Sequence, residues 1–180
     1  GRLMKEGRAG AVKLEGGKLV CEQIRAIVNA SIPVVAHLGM TPQSVNTLGG
    51  FKVQGKTAEA ARKLLEDAKA VEEAGAFALV MECVPAKLAA LVTKTLHIPT
   101  IGIGAGAGCD GQVLVYQDML GMFMDYQPKF VRKFAEVGKT MQDAFVTYRN
   151  EIQAGNFPAE EHSFAISDEV MAQLEQEAQA

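Results

Sequence analysis

Four side chains with catalytic potential stand at or near the ends of three short apolar segments. Lys13 and Glu15 belong to the first segment, His37 to the second and Glu82 to the third. A lysine can bind an anionic substrate, a carboxylate can accept a proton or hold a hard cation, and a histidine can exchange protons. The combination predicts a site that binds a small anion and removes a proton from carbon.

The charged pair Lys13 and Glu15 lies two residues apart on a predicted strand, so both side chains point to one face. Buried charge is costly unless it is paired or bound to a ligand. One interpretation is therefore an internal salt bridge. The other is a cation for a substrate carboxylate or enolate, placed beside a carboxylate near a metal.

His37 and Glu82 also have two interpretations each. A lone strand histidine is more often structural, but residues 39–56 follow it without a strong helical pattern, and long loops are commonly lids or binding loops. Glu82 ends a hydrophobic strand, where a poorly solvated carboxylate suits a general base. The alternative for Glu82 is pairing with a neighbouring lysine or backbone donor.

A glycine run contains a formal G-x-G-x-x-G pattern at Gly106, Gly108 and Gly111. A dinucleotide site would also need an acidic residue at the end of a following strand about 20 residues on. No clean strand ends at Asp125, so we expect the glycines to allow close backbone approach at the mouth of a barrel.

Strand-like and helix-like segments alternate along the first two thirds of the chain. The predicted strands are 11–15, 34–38, 77–83 and 100–103, with 113–116 as a candidate fifth, and the predicted helices are 18–30, 57–73 and 85–96. This alternation predicts a parallel sheet with helical crossovers. Polar residues at successive strand ends fit a closed barrel, although open α/β sheets also bind ligands at that edge.

The rest of the chain has a helical character. Residues 129–138, 141–154 and 167–180 are predicted helices, and residues 2–7 resemble the last turns of another. We expect residues 1–164 to form a partial β/α barrel with C-terminal helices. Residues 165–180 should form a terminal helix on the outside or at a subunit interface.

Composition narrows the class of protein. The 180 residues are 48% hydrophobic and 22% charged, with a net charge of -3 and three cysteines outside any metal-finger spacing. These values predict a soluble, cytoplasmic protein with free thiols that binds small molecules, and neither nucleic acid nor membrane.

Six sequence blocks together resemble the ketopantoate hydroxymethyltransferase family. They are residues 12–17 (VKLEGG), 36–43 (AHLGMTPQ), 50–55 (GFKVQG), 82–85 (ECVP), 98–106 (IPTIGIGAG) and 158–164 (PAEEHSF). The resemblance runs from about residue 2 to residue 164, and six blocks in order are far more specific than any one of them.

The resemblance implies a (β/α)8 barrel of the phosphoenolpyruvate/pyruvate type, working in pantothenate biosynthesis. It implies transfer of a hydroxymethyl group from 5,10-methylenetetrahydrofolate to 3-methyl-2-oxobutanoate, giving 2-dehydropantoate, with Mg²⁺ as cofactor and a homo-oligomer, a decamer, as the assembly. Carried over by motif, Lys13 and His37 bind the substrate, Glu15 belongs to the metal site and Glu82 is the proton acceptor.

The family's direct metal ligands are two aspartates on earlier strands, and that region has no counterpart in these residues. The first barrel strands are therefore expected to be absent from this chain. Two alternatives follow: an inactive fragment that only assembles, and a related barrel lyase acting on another 2-oxo acid.

Overall fold

One parallel sheet organises the computed structural model, which describes residues 1–178. Its strands lie in the order of the sequence, each hydrogen-bonded to the next. They are β1 (Val12–Glu15), β2 (Val34–Gly39), β3 (Ala78–Glu82), β4 (Thr100–Ile103) and β5 (Gly111–Gln112). All four pairings are parallel, which confirms the predicted α/β class.

Helices connect these strands and form the C-terminal part of the chain. They are α1 (Arg2–Lys5), α2 (Cys21–Asn29), α3 (Ala58–Glu73), α4 (Ala86–Thr95), α5 (Tyr116–Met119), α6 (Val137–Gln153) and α7 (Asp168–Ala178). Short 3-10 turns cover Lys18–Val20, Pro42–Ser44 and Glu160–His162. Within residues 1–178, none of these helices combines the length and the apolar character needed to cross a bilayer.

The second, third and fourth helices form where the sequence predicts them. Thr57 caps α3, because its hydroxyl oxygen accepts the amide of Ala60 at 3.2 Å. The chain leaves α3 through Gly75, whose φ of 101° is accessible to glycine at little cost. The predicted terminal helix 167–180 is observed as α7, and its last two positions lie outside the described residues.

The two faces of the sheet have different chemical characters. One face packs against α2, α3 and α4, and its apolar residues are buried together with Ile24, Val71 and Val92 of those helices. The sheet residues on this side are Val34, Ala36, Leu38, Leu79 and Met81. Strand alternation therefore directs the intervening residues to the opposite face, where the polar candidates lie.

The candidate fifth strand was placed a few residues too late. The observed β5 is Gly111–Gln112, which pairs with Ile101 and Gly102, and the amide of Val113 adds one more bond to the carbonyl of Gly102. After that bond the chain leaves the sheet, and Val113 and Leu114 line a groove instead. Hydrophobicity alone could not distinguish these two uses of a valine-rich segment.

The predicted helix 129–138 is wrong. Its backbone amides bond to another segment: Phe134 donates to the carbonyl of Met119, and Val137 donates to that of Leu120. The ring of Phe130 packs against Gly104, which further fixes this stretch as irregular chain. The helical periodicity is real only from Val137 onward, where α6 begins and covers the predicted helix 141–154.

Gly39 sets how closely β2 approaches the end of β3. Its φ is 94°, and an added Cβ would overlap the carbonyl oxygen of Glu82. Gly50 has a similar φ of 105° but open space around the same position. Gly50→Ala should therefore cost only the backbone strain of about 1–3 kcal/mol. Gly39→Ala should cost a further amount of about 1–3 kcal/mol from overpacking.

Urea unfolding of the two variants measures this difference in the free energy of unfolding. Equal losses of stability in both would show that β2 and β3 can separate without cost at this point.

Candidate active site

Strand register brings the ends of β1, β2 and β3 together at one edge of the sheet. Glu15 lies directly opposite His37, and Gly39 lies directly opposite Glu82. Residues paired in this way share a face, so Lys13, Glu15, His37 and Glu82 all lie on the side away from α2 and α3. The four residues singled out from the sequence therefore form one cluster.

His37 is the centre of the cluster and is 1% exposed. Its Nδ1 lies 3.4 Å from Lys13 Nζ and 3.6 Å from Glu15 Oε1, and its Nε2 lies 3.1 Å from Glu82 Oε2. A lysine ammonium can only donate, so Nδ1 accepts and the ring proton is assigned to Nε2, the nitrogen next to Glu82.

The contact between His37 and Glu82 has the length of a hydrogen bond but not its direction. Nε2 has no hydrogen-bond partner of acceptable geometry among the described residues. A buried N–H without an acceptor is costly, and a small rotation of the Glu82 carboxylate would provide one. The imidazole can thus orient this carboxylate while leaving its other oxygen available to substrate.

Lys13 and Glu15 make a long ion pair, 4.0 Å between Nζ and Oε1. Their side chains differ in environment, because Lys13 is 47% exposed and Glu15 only 7%. The internal salt bridge considered from the sequence therefore exists, but it leaves the lysine ammonium accessible. An accessible ammonium beside buried carboxylates can bind the carboxylate of a small substrate.

The loop after β2 is tied to this cluster by its backbone. Gln43 donates its amide to Glu15 Oε2 at 2.9 Å, and Met40 donates to the carbonyl of Glu82 at 2.8 Å. Gln54 donates to the carbonyl of Cys83 at 2.9 Å. Three hydrogen bonds of backbone amides therefore attach the segment 39–56 to the ends of β1 and β3, and its use as a lid or binding loop stays a prediction. Sequence reasoning missed Gln43, because a backbone donor has no residue-type signature.

The glycine run packs against helix α4 and an aromatic ring. An added Cβ at Gly106 would overlap the Cβ of Ala86, and one at Gly108 would lie 2.6 Å from that of Ala90. Gly104, with a φ of 64°, makes the same close approach to the ring of Phe130. No helix of the described chain begins at this run, which a dinucleotide fingerprint would need. The glycines thus serve close packing, as expected.

A magnesium site would require several oxygen ligands around one point. Residues 1–178 contain no group of three or more His, Cys, Asp or Glu side chains placed to hold a metal ion. Glu15 is the carboxylate of the cluster closest to Lys13, and both of its oxygens already have polar neighbours. The described residues do not form a metal cage by themselves, and Glu15 fits only as one contributor to a site completed by other groups.

Cys83 adds a nucleophilic atom next to Glu82. It has a φ of 51°, unusual for a residue other than glycine, and its amide donates to the carbonyl of Ile103 at 2.9 Å. Burial raises the pKa of the Cys83 thiol, and the nearby Glu82 charge raises it further. The cysteines at 21, 83 and 109 are free thiols.

Comparison with known proteins identifies relatives over almost the whole chain. The family model described as ketopantoate hydroxymethyltransferase matches residues 1–160. The 3-methyl-2-oxobutanoate hydroxymethyltransferases of Clostridium novyi and Enterococcus faecalis are 68% and 65% identical over 174 residues, and that of Clostridioides difficile is 60% identical. In each case the alignment covers 97% of this chain but 63% of the relative, so the chain spans less than two thirds of their length.

The thiol of Cys83 reports the charge of Glu82 without any assay of activity. Because that carboxylate raises the pKa of Cys83, Glu82→Gln should lower it and increase the thiolate fraction at a fixed pH. Alkylation of Cys83 by iodoacetamide at neutral pH should therefore be faster in the variant, as measured by peptide mass spectrometry. Cys21 provides the internal control, since its causes of shift do not include Glu82. An unchanged alkylation rate at Cys83 would show that the charge of Glu82 does not influence this thiol.

Proposed function

The chain belongs to the ketopantoate hydroxymethyltransferase family, and we propose that it is the part of a 3-methyl-2-oxobutanoate hydroxymethyltransferase that binds the keto acid and removes its proton. The observation that carries this proposal is the contact of Glu82 with the buried His37, on the same sheet edge as the accessible ammonium of Lys13. A base and a cation at one edge suit deprotonation of an anionic substrate.

The proposed chemistry has two steps. Glu82 takes the proton from C3 of 3-methyl-2-oxobutanoate, and the electrons of that C–H bond form the enolate. One C–N bond of 5,10-methylenetetrahydrofolate opens to an iminium carbon, and the enolate carbon bonds to that carbon. Water then replaces the remaining folate nitrogen, which leaves the hydroxyl group on 2-dehydropantoate. The proton held by Glu82 and the second hydrogen of the water go to the two folate nitrogens, and tetrahydrofolate leaves. Lys13 holds the substrate carboxylate, so that C3 is presented to Glu82.

His37 has a supporting role in this proposal. At 1% exposure it offers little surface to a substrate, although its contacts extend to Lys13, Glu15 and Glu82. The imidazole therefore orients the base and the cation that touch the substrate. Substrate binding by His37, as the family motif implies, would act through those two neighbours.

The resemblance implies a Mg²⁺ ion, to which Glu15 would contribute one carboxylate oxygen. When bound, a hard divalent cation supplies Lewis acidity that favours the enolate. Glu15 is suited to such a role because its side chain is 7% exposed and fixed by the amide of Gln43. The other ligands would come from outside the described cluster.

A closed barrel is the architecture that best fits the exposed side of this sheet. Val35, Val80 and Ile101 lie on the same face as His37 and are only half-buried in residues 1–178. Further strands that closed the sheet would cover them and place the cluster at the barrel mouth. The five parallel strands are compatible with this proposal, and decamer formation and a cytoplasmic location stay predictions from the resemblance.

The relatives favour a transferase over a lyase. The names of the closely similar proteins all specify hydroxymethyl transfer, and none specifies cleavage of a 2-oxo acid. The transferase is therefore the function that we propose to test.

Isotope exchange tests the role of Glu82 in the full-length gene product. Glu82→Gln keeps the size and polarity of the side chain but removes its basicity, so exchange of deuterium into C3 of 3-methyl-2-oxobutanoate should fall about 100- to 10,000-fold. Binding of the keto acid, measured by calorimetry, should change little. Glu73→Gln, at an exposed position on α3, is the matched control. Exchange at the wild-type rate in the Glu82 variant would remove Glu82 from the role of base.

Lys13 and Glu15 should fail in different ways when replaced in the same protein. Lys13→Ala removes a charged partner of the substrate carboxylate and should raise the KM for the keto acid about 10- to 100-fold. Glu15→Ala should mainly raise the Mg²⁺ concentration that gives half-maximal activity. Activity assays over a matrix of keto acid and Mg²⁺ concentrations separate the two effects. A Glu15 variant with unchanged metal dependence would contradict its place in the metal site.

A further inference from the structure

Asp67 is a buried carboxylate outside the polar cluster, and it bonds to the turn that follows Glu15. It lies on α3 and is 6% exposed. Its Oδ1 accepts the backbone amide of Lys18 at 3.0 Å, and its Oδ2 pairs with the ammonium of Lys63, one helical turn earlier. Lys63 is 70% exposed, so its ammonium would remain accessible to a solvated carboxylate. The amide of Lys18 therefore accounts for the burial of Asp67, since a carboxylate is costly to bury without donors.

Two glycines connect Glu15 to the amide that Asp67 accepts. Gly16 has a φ of 126°, and its amide donates to the carbonyl of His37 at 3.1 Å. Gly17 lies so close to Asp67 that an added Cβ would overlap the carboxyl carbon. Neither glycine has a side chain that could fix the turn by packing. The conformation of the chain directly after Glu15 therefore depends on hydrogen bonds at both ends of the turn.

The 3-10 turn Lys18–Val20 receives its cap from Asp67. Gly17 occupies the position before this turn and has no side chain that could accept an amide. The acceptor comes instead from α3, a different element. The chain at 16–17 also borders a cavity of about 410 Å³, whose other walls include Leu38 and Thr41. Packing gives little support on that side, and the hydrogen bond to Asp67 fixes the backbone against α3.

We propose that Asp67 is a positioning residue for the candidate active site, and that it acts on Glu15 through residues 16–18. The inference rests on the proposed function, in which Glu15 contributes a carboxylate oxygen to the metal site. Glu15 is the last residue of β1 and so lies next to the turn that Asp67 holds. Its carboxylate in turn accepts the amide of Gln43 at 2.9 Å. A turn released from α3 should let Glu15 shift and should weaken its bond to Gln43.

Amide hydrogen exchange in the full-length protein, resolved to single amides by mass spectrometry, tests this coupling without turnover. Asp67→Ala removes the acceptor of the Lys18 amide, so exchange at Lys18 and at Gln43 should each become about tenfold faster. Asp67→Asn keeps a weaker, uncharged acceptor and should raise both rates by a smaller factor. Glu66→Gln is the matched control, because Glu66 contacts the exposed ammonium of the same Lys18, at 2.7 Å. Faster exchange at Lys18 alone, with Gln43 as protected as in the wild type, would overturn the proposal.

The Mg²⁺ requirement separates positioning from a simple loss of stability. A destabilised protein contains less active enzyme, but the Mg²⁺ concentration that gives half the maximal rate of deuterium exchange at C3 of the keto acid stays unchanged. Asp67→Ala should raise that concentration about tenfold, because residues that orient a metal ligand affect metal affinity on this scale. Thr100→Val, which loses a buried hydrogen bond to Asp110 at the opposite end of the sheet, is the control for stability and should leave it unchanged.

Glu15→Ala distinguishes a failure of this inference from a failure of the proposed function. If Glu15→Ala raises the Mg²⁺ requirement and neither Asp67 variant does, Asp67 is only structural and the positioning role is wrong. If Glu15→Ala also leaves the requirement unchanged, the metal role of Glu15 is wrong. Amide exchange at Gln43 then decides whether Asp67 positions Glu15, since that measurement needs neither metal nor substrate.

Discussion

The buried imidazole of His37 lies between two carboxylates, and its position depends on the register of three parallel strands. Glu15 is opposite His37 in one pairing, and Glu82 is opposite Gly39, two residues further along β2, in the next. A slip of one residue in either pairing would replace a polar side chain by an apolar one from the helix-facing side. The helix side of the sheet is fixed by fully buried residues such as Val34, Leu79 and Met81, so ordinary core packing determines the geometry of the polar cluster.

The polar cluster can be accommodated at this edge of the sheet because only part of it is removed from water. Lys13 keeps nearly half of its side chain exposed, whereas Glu15 and His37 are almost fully buried. Burying a carboxylate is costly unless donors surround it, and Glu15 receives the amide of Gln43 in addition to its contact with Lys13. The backbone amide of Gln43, in the loop after β2, therefore completes the polar environment of Glu15 on β1.

Much of this arrangement could be predicted from local sequence patterns. The period of strand residues placed Lys13 and Glu15 on one face, and the positions of His37 and Glu82 at strand ends brought them to the same edge. The contacts among them could not be predicted, because they depend on the register between strands that are far apart in the sequence. The segment 129–136 failed for a related reason: its helical pattern is overridden by amide bonds to Met119 and Leu120 and by the docking of Phe130.

The glycine run shows how one local constraint can serve two neighbouring structures. Its backbone must lie close to Ala86 and Ala90 of α4 on one side and to the ring of Phe130 on the other. A side chain at Gly104 would push Phe130 outward, and one at Gly106 would push α4 outward. Phe130 forms one wall of the groove that Val113 also lines, beside Glu82. The same absence of Cβ atoms that lets α4 pack against the end of β4 therefore shapes the cavity next to the proposed base. The glycine run matches a nucleotide-binding motif in sequence, but in the structure its glycines serve close packing. They influence the groove beside Glu82 because they allow the ring of Phe130 to lie close to the backbone.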